Sequence, residues 1–208
     1  MQDIISSIDY DQQEILNNII HLYIPSGRFD LDPCYSKGVF YKDGIVPQPV
    51  RIMDIEPIND TVLYGDCRHT LLPNASIDSI IFDPPFLATK GPSLSKDNNN
   101  NNKINRRFGV YPDEQSLLAM YQDSISEFYR VLRHNGILVF KCQDKISSGK
   151  QYIMHNKIIN ECEKIGFVCE DIFILLAKNR IVADWQAKNQ KHARKFHSYF
   201  LVFKKKEI

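Results

Sequence analysis

Apolar positions along the 208-residue chain follow two different spacings, which predict alternating helices and strands. Some segments repeat their apolar residues every three or four positions, as an amphipathic helix does, and others are short continuous apolar runs typical of buried strands. The predicted helices cover residues 11–23, 113–133 and 152–165; the predicted strands cover residues 28–31, 50–53, 62–64, 79–82, 137–140, 167–176 and 198–203. This alternation predicts an α/β fold with a doubly wound, mostly parallel sheet covered on both faces.

The segment between the last two predicted strands is too polar to be a core crossover helix. Because antiparallel neighbours need no such helix, we expect these strands to form an antiparallel pair, with the C-terminal strand at the sheet edge. The length fits a single domain spanning residues 1–208, with no separate target-recognition domain. A polar stretch at about residues 90–107, with five consecutive asparagines, predicts a flexible loop within that domain.

Composition excludes several classes of protein. Lys and Arg total 26 and Asp and Glu total 25, a formal charge of +1 that argues against a polyelectrolyte. No apolar run reaches the ~18 residues of a membrane span, and the N-terminus lacks the features of a secretion signal. We therefore expect an intracellular, cytoplasmic protein, or a nuclear one if its source is eukaryotic. The five scattered cysteines contain no Cys-x-x-Cys pair, so we predict reduced thiols and no metal site.

Acidic residues follow four successive predicted strands. Asp32, then Asp54 and Glu56, then Asp66 and then Asp83 stand just after the strand ends. The carboxyl ends of parallel strands meet at one edge of a sheet, so we expect these side chains to converge on one crevice. The sequence suggests no lysine between them, and such a cluster is costly unless it binds hydrogen-bond donors or a cation.

The sharpest motif is Asp83-Pro84-Pro85-Phe86, directly after a buried strand. Prolines have no amide hydrogen and restrict the backbone, so the strand must end here and its last carbonyls project outward. An aspartate oxygen and a proline carbonyl can then both accept hydrogen bonds from one amino group. Holding both N–H bonds of an exocyclic amine would localise its lone pair and aim it at an electrophilic methyl group. The Phe86 ring offers a flat face on which a planar base can stack. A base inside a duplex could reach such a site only if it were flipped out of the helix.

This motif resembles the (D/N)PP(Y/F/W) motif of the S-adenosylmethionine-dependent amino-methyltransferases that modify adenine N6 or cytosine N4 in DNA. Residues 63–86 and 128–139 also look like the corresponding parts of that family, and the resemblance extends over about residues 29–203. It implies a class I, Rossmann-like methyltransferase fold, S-adenosyl-L-methionine as cofactor, and a catalytic site at Asp83, Pro84, Pro85 and Phe86.

The same resemblance implies cofactor-binding positions. Residues 32–38 align with a glycine-rich DPFxGSG turn, in which Asp32, Pro33 and Gly38 match but Ser36 and Lys37 replace a glycine and a serine. Asp54 or Glu56 corresponds to the acidic residue that binds ribose hydroxyls, and Asp66 to the residue that contacts adenine. Few residues separate Gly38 from Asp54, so we expect this crossover to lack a full-length helix.

The C-terminal part of the chain is basic, with nine Lys and Arg residues between positions 178 and 206 against one acid, Asp184. A basic strip beside an aromatic side chain is typical of proteins that hold single strands or flipped nucleotides. The alternative is a solvated basic face around a core tryptophan. The predicted nucleic-acid contacts are Trp185, Lys191, Arg194 and Lys195, with Lys103, Arg106 and Arg107 from the Asn-rich loop.

These observations together favour S-adenosylmethionine-dependent methyl transfer to an exocyclic base amine, with adenine N6 of DNA first. Two alternatives stay open: methylation of an RNA base at adenine N6 or cytosine N4, and a catalytically inactive methyltransferase-fold subunit that binds nucleic acid or a partner. The expected partner is nucleic acid, DNA before RNA, and not a membrane. An oligomer or a partner subunit is also open.

Overall fold

The computed structural model describes residues 4–86, 88, 111–147, 149–178 and 190–206. The helices are α1 (Gln12–Tyr23), α2 (Glu114–Val131) and α3 (Met154–Ile165). The strands are β1 (Ile8–Asp9), β2 (Leu31–Asp32), β3 (Arg51–Asp54), β4 (Leu63–Tyr64), β5 (Ile77–Phe82), β6 (Leu132–Cys142), β7 (Lys145–Ser147), β8 (Lys150–Tyr152), β9 (Phe167–Leu176) and β10 (His197–Lys205). The Asn-rich loop predicted at 90–107 lies outside the described residues.

Local sequence signals account for most element ends. Asp11 caps α1 by accepting a hydrogen bond from the Gln13 amide at 2.8 Å. Gly166 ends α3 in the left-handed conformation, with φ 112°. The junction after α2 differs from the prediction, because β6 begins at Leu132 without a separating loop. Leu132 pairs with Ile77, and the next pair joins Ser79 to Ile137, so β6 carries the extra residues of an irregularity that extends it beyond its continuous apolar run.

The strand order β1-β9-β10-β6-β5-β2-β3-β4 confirms the predicted doubly wound, mostly parallel sheet. Strands β2 to β6 pair with one another in parallel, and β10 is antiparallel to both β6 and β9. The last two strands therefore form the expected antiparallel pair towards one edge. The prediction that the C-terminal strand lies at the edge is wrong: β10 lies between β6 and β9, and the short β1 pairs with the outer side of β9, because β10 finds antiparallel partners on both sides.

The sheet carries a separate apolar core on each face. Helices α2 and α3 cover one face, where Phe82 and Phe140 pack with Phe128 of α2. Helix α1 and a 3₁₀ turn at Val39–Tyr41 cover the other face, above residues such as Phe200. That 3₁₀ turn is the only helical structure between β2 and β3, which confirms the expected short crossover. Among the described residues, no helix is long and apolar enough to cross a membrane.

A buried carboxylate fastens the segment after β4 to helix α2. Glu127, 8% exposed, accepts hydrogen bonds from the amide and hydroxyl of Thr70 at 2.8 and 2.6 Å. The Arg130 guanidinium contacts the same carboxylate at 2.7 Å. Burial alone would raise the pKa of Glu127, but the bonds from Arg130 and Thr70 outweigh it and lower the pKa to about 2.

We expect Glu127→Gln to lower the free energy of unfolding at pH 7 by about 1–3 kcal/mol, because buried hydrogen bonds to a charged acceptor are lost. A folded-state pKa of about 2 lies below the ordinary glutamate value of 4.5. The wild-type advantage should therefore shrink as the pH falls from about 4.5 towards 2. Urea unfolding at pH 7 and pH 3 measures this, with exposed Glu163→Gln as the matched control. An equal loss at both pH values would contradict the role of the charge.

Candidate active site

A cavity of about 620 Å³ lies beyond the carboxyl ends of β2 to β5. The four predicted aspartates that end successive strands all line it, as the parallel sheet requires. The predicted site residues that line the cavity are Asp32, Pro33, Asp54, Glu56, Asp66, Asp83, Pro84, Pro85 and Phe86. Gly38 is not among the described lining residues. The volume is in the range of small-molecule sites in proteins.

Asp32, at the end of β2, is the most enclosed carboxylate of the cavity. Its side chain is 3% exposed and accepts hydrogen bonds from the Tyr41 hydroxyl at 2.8 Å and the Cys34 amide at 3.1 Å. Burial raises the pKa of Asp32 to about 7, and the charges of Asp83 and Asp54 add to the increase. Asp32 therefore changes its charge near neutral pH, where a bound cation would favour the ionised form.

The turn after β2 keeps a left-handed backbone although Ser36 stands where the motif that it resembles has a glycine. Ser36 has φ 51°, and its amide donates to Asp54 Oδ2 at 2.7 Å. Gly38 has φ 61°, and a Cβ atom there would overlap the Tyr35 ring. The Tyr35 ring stacks on the Tyr41 ring with centroids 5.7 Å apart. Gly38 thus has a conformational role in this turn.

The two acidic residues after β3 differ in their surroundings. Asp54 uses both carboxylate oxygens, one for Ser36 and the other for the Glu56 amide at 2.9 Å. Glu56 is exposed at the rim of the cavity. Each Asp54 oxygen keeps a second lone pair, so both residues can still accept hydrogen bonds from a ligand.

Asp66, after β4, forms a close ion pair with Arg68. Both guanidinium Nε and Nη2 reach the carboxylate, the latter at 2.5 Å. This contact lowers the pKa of Asp66. Arg68 also lines the cavity, so the position that the resemblance assigns to adenine contact presents a fixed carboxylate and a cation together.

The Asp83-Pro84-Pro85-Phe86 turn is held by three side chains from other elements. The Tyr121 hydroxyl of α2 donates to the Pro85 carbonyl at 2.7 Å. Lys145 of β7 donates to the Phe86 carbonyl at 2.7 Å and pairs with Glu114 of α2 at 3.0 Å. Burial lowers the pKa of Lys145, against the effect of Glu114.

The third side chain corrects a prediction. Lys141 of β6 lies 3.1 Å from Asp83 Oδ2, so the expectation that no lysine compensates the acidic cluster is wrong. Asp83 Oδ1 and the Pro84 carbonyl receive no hydrogen bond from any described residue. Asp83 and Pro84 both line the cavity and keep acceptor atoms that a ligand could use.

The residues after β6 have structural roles. Asp144, 5% exposed, accepts from the Met154 amide at 2.8 Å and so caps α3. His155 Nδ1 lies 2.8 Å from the same oxygen. Gln143 donates to the His197 carbonyl at 3.2 Å and thereby supports β10.

The predicted nucleic-acid contacts are only partly described. Trp185, Lys103, Arg106 and Arg107 lie outside the described residues. Lys191 is exposed, and Arg194 and Lys195 are half-buried; none of the three is among the described residues that line the cavity. Nearby His192 Nε2 lies 3.0 Å from the Gly149 carbonyl, which places this basic segment against the β7–β8 hairpin.

Sequence reasoning missed the supporting residues Tyr41, Arg68, Tyr121, Lys141 and Lys145. Lys141 had a signal, because it is a charged residue at the end of the apolar run Ile-Leu-Val-Phe. The two tyrosines had none, since each is an ordinary aromatic residue for a turn or a helix. In the described part of the chain, no group of three or more His, Cys, Asp or Glu side chains could hold a metal ion.

Comparisons with known proteins give similarity to solved structures alone, since no protein-family model and no curated protein matches the chain. The cyclase SpnF is 12% identical with a TM-score of 0.54, over 93% of this chain and 81% of its own. A candidate sarcosine dimethylglycine methyltransferase from Galdieria sulphuraria is 13% identical with a TM-score of 0.52, over 93% of this chain and 85% of its own.

A candidate DNA modification methylase from Thermus thermophilus is 19% identical with a TM-score of 0.48, over 76% of this chain. The match covers 55% of that protein, so the present chain spans about half its length. Similarity at these identities establishes the fold alone. The chain therefore has a Rossmann-like α/β fold of the class I methyltransferase type.

Proposed function

We propose that this protein is an S-adenosylmethionine-dependent methyltransferase that acts on an exocyclic base amine, with adenine N6 of DNA as the first candidate. The observation that carries the proposal is the pair of acceptors at Asp83 and Pro84, beside an acid-lined cavity at the carboxyl edge of the sheet. Such a pair suits an amino group with two N–H bonds.

The charge of the cavity supports a cationic ligand. Five carboxylates line it, and they outnumber the two lining cations, Lys37 and Arg68. S-adenosylmethionine has a net positive charge and supplies an electrophilic methyl group on its sulfonium. In this proposal the turn with Asp32, Pro33 and Gly38 holds the methionine part, Asp54 or Glu56 binds the ribose hydroxyls, and Asp66 contacts the adenine.

The motif residues would act on the amine by orientation and electrostatics. Asp83 Oδ1 and the Pro84 carbonyl would each accept a hydrogen bond from one N–H group of the amine. The lone pair of the amine nitrogen would then leave conjugation with the ring and face the cavity. Pro85 keeps the backbone rigid, and Phe86 offers its ring to the base. When the amine nitrogen takes the methyl group, the S–C bond of the sulfonium would break and its electron pair would stay on sulfur as a neutral thioether. The methylated nitrogen would then be cationic and lose a proton to water, so no strong base is needed.

Contacts on the surface support a nucleic-acid substrate. Lys191, Arg194 and Lys195 belong to the segment that packs on the β7–β8 hairpin through His192. The same hairpin holds the Phe86 carbonyl through Lys145. The β7–β8 hairpin thus lies between the basic segment and the Asp83–Phe86 turn and contacts both, and this segment is a suitable place for phosphates flanking a base in the site. Trp185, Lys103, Arg106 and Arg107 remain predictions.

The experiment that tests this function counts methylated nucleosides. Purified protein and labelled S-adenosylmethionine are incubated with mixed DNA and RNA, which are then digested and analysed by mass spectrometry. We expect label on N6-methyldeoxyadenosine. Label on a ribonucleoside would move the substrate to RNA, and label on N4-methylcytosine would change the base. No label on any nucleoside would contradict the proposed reaction and favour the binding-only alternative.

We expect Asp83→Ala to reduce methyl transfer by about 10²–10³-fold, because it removes one of the two groups that orient the amine. Affinity for S-adenosylmethionine, measured by calorimetry, should stay close to wild type. Asp78→Ala is the matched control, because Asp78 belongs to the same strand but is exposed at its opposite end. Retained turnover in the Asp83 variant would remove this residue from the mechanism.

We also expect a pH-dependent affinity for S-adenosylmethionine. The pKa of Asp32 rises from 3.8 to about 7 on folding, so the unliganded protein should lose stability as the pH rises from about 4 to 7. A bound cation stabilises the ionised carboxylate and should offset this loss. Affinity should therefore rise by about tenfold between pH 6 and pH 8. Any titration of the ligand itself affects the wild-type protein and Asp32→Asn equally. Calorimetry on both proteins therefore isolates the contribution of the Asp32 carboxylate to the pH dependence of the affinity. Equal pH slopes would contradict its contact with the cation.

A further inference from the structure

We propose that Lys141 is a positioning residue, which holds the Asp83 carboxylate in the orientation that receives the substrate amine. The inference rests on the proposed function, since it names a group that prepares the same site. Lys141 would not touch the substrate and would act only through Asp83.

The strand register puts the two residues side by side. Phe82 of β5 lies opposite Phe140 of β6 in a parallel pair, and Asp83 and Lys141 are the next residues along the chain in each case. The Lys141 ammonium is 3.1 Å from Asp83 Oδ2. The side chain of Lys141 is 16% exposed and that of Asp83 is 31% exposed, so the pair is largely shielded from water. Its attraction is therefore screened less than that of a surface ion pair.

Groups from three other elements surround the ammonium of Lys141. Gln12, in the first turn of α1, accepts a hydrogen bond from it at 3.0 Å. The ring centroids of Phe40, in the 3₁₀ turn, and of Phe200, in β10, are 4.8 and 5.6 Å away. Phe200 is also the direct cross-strand neighbour of Lys141. Since aromatic faces attract a cation, the ammonium is held where it is and has little freedom to swing towards solvent.

This arrangement determines which atoms of the catalytic turn remain for a substrate. Lys141 already donates to Oδ2 of Asp83, and Tyr121 and Lys145 donate to the carbonyls of Pro85 and Phe86. Each of these oxygens keeps one lone pair, whereas Oδ1 and the Pro84 carbonyl accept from no described residue and keep both, which makes them the two acceptors most open to a primary amine. Lys141 also offsets the repulsion that Asp83 experiences from the other carboxylates of the cavity. Without it, the carboxylate would be free to rotate away from the amine.

The test uses Lys141→Met, which keeps the length of the stem and removes the charge. We expect kcat to fall by about ten- to a hundredfold, because misplacement of a catalytic group by about 1 Å can cost that much. The KM for nucleic acid and the affinity for S-adenosylmethionine should change by less than about twofold, since binding groups are untouched. Lys141→Arg should recover most of the rate, because a guanidinium can also pair with Asp83 and stack on the two rings.

The matched control is Lys204→Met, which removes a lysine of β10 paired with Ile137 near the other end of β6. This variant should keep wild-type kcat. Circular dichroism melting shows whether each variant is folded at the assay temperature. If Lys141→Met does not fold, Gln12→Ala loosens the ammonium instead, and it should lower kcat by about two- to fivefold.

A double-mutant cycle separates a role through Asp83 from an independent one. In the Asp83→Asn background, Lys141 has no carboxylate to orient, so Lys141→Met should lower kcat by less than about twofold. Wild-type kcat in Lys141→Met, or an equal loss in both backgrounds, would overturn the positioning role and leave the proposed function intact. No methyl transfer by the wild-type protein to any nucleoside would instead overturn the proposed function, and this role with it.

Discussion

Phe82 lies opposite Phe140 in the parallel pair of β5 and β6, and the position of the Asp83–Phe86 turn depends on this contact. Phe82 packs edge to face on Phe140 and on Phe128 of α2, with ring centroids 4.9 and 4.8 Å apart. All three rings are fully buried. A slip of one residue would turn each side chain of β5 to the other face, so burial of these rings also fixes where Asp83 leaves the sheet.

The site concentrates negative charge at the edge of an otherwise apolar sheet, and individual contacts make this tolerable. Lys141 pairs with Asp83, Arg68 pairs with Asp66, and Asp32 is buried with a raised pKa. Asp54 accepts two backbone amides. Such contacts organise the carboxylates without neutralising the cavity, which is a suitable state for a cationic ligand. They also order the crossover after β2, where a single 3₁₀ turn stands in place of a helix.

The fold alone does not decide the reaction. Solved structures with similar folds include a cyclase and a candidate methyltransferase for sarcosine and dimethylglycine. An amine substrate is proposed from the local chemistry at the end of β5, where Asp83 Oδ1 and the Pro84 carbonyl accept from no described residue and three side chains hold the turn. The sheet accounts for the placement of these groups, and the groups themselves determine the chemistry.

The sequence by itself determined the helices, most of the strands, the parallel sheet and the row of acidic strand ends, because spacing and punctuation are local properties of the chain. Only the tertiary structure decided that β10 lies between β6 and β9, that Asp144 caps a helix, and that Lys141 faces Asp83. Lys141 and Asp83 are 58 positions apart. Contacts at such separations depend on strand register, and register is set by packing of the whole core, which no local pattern specifies.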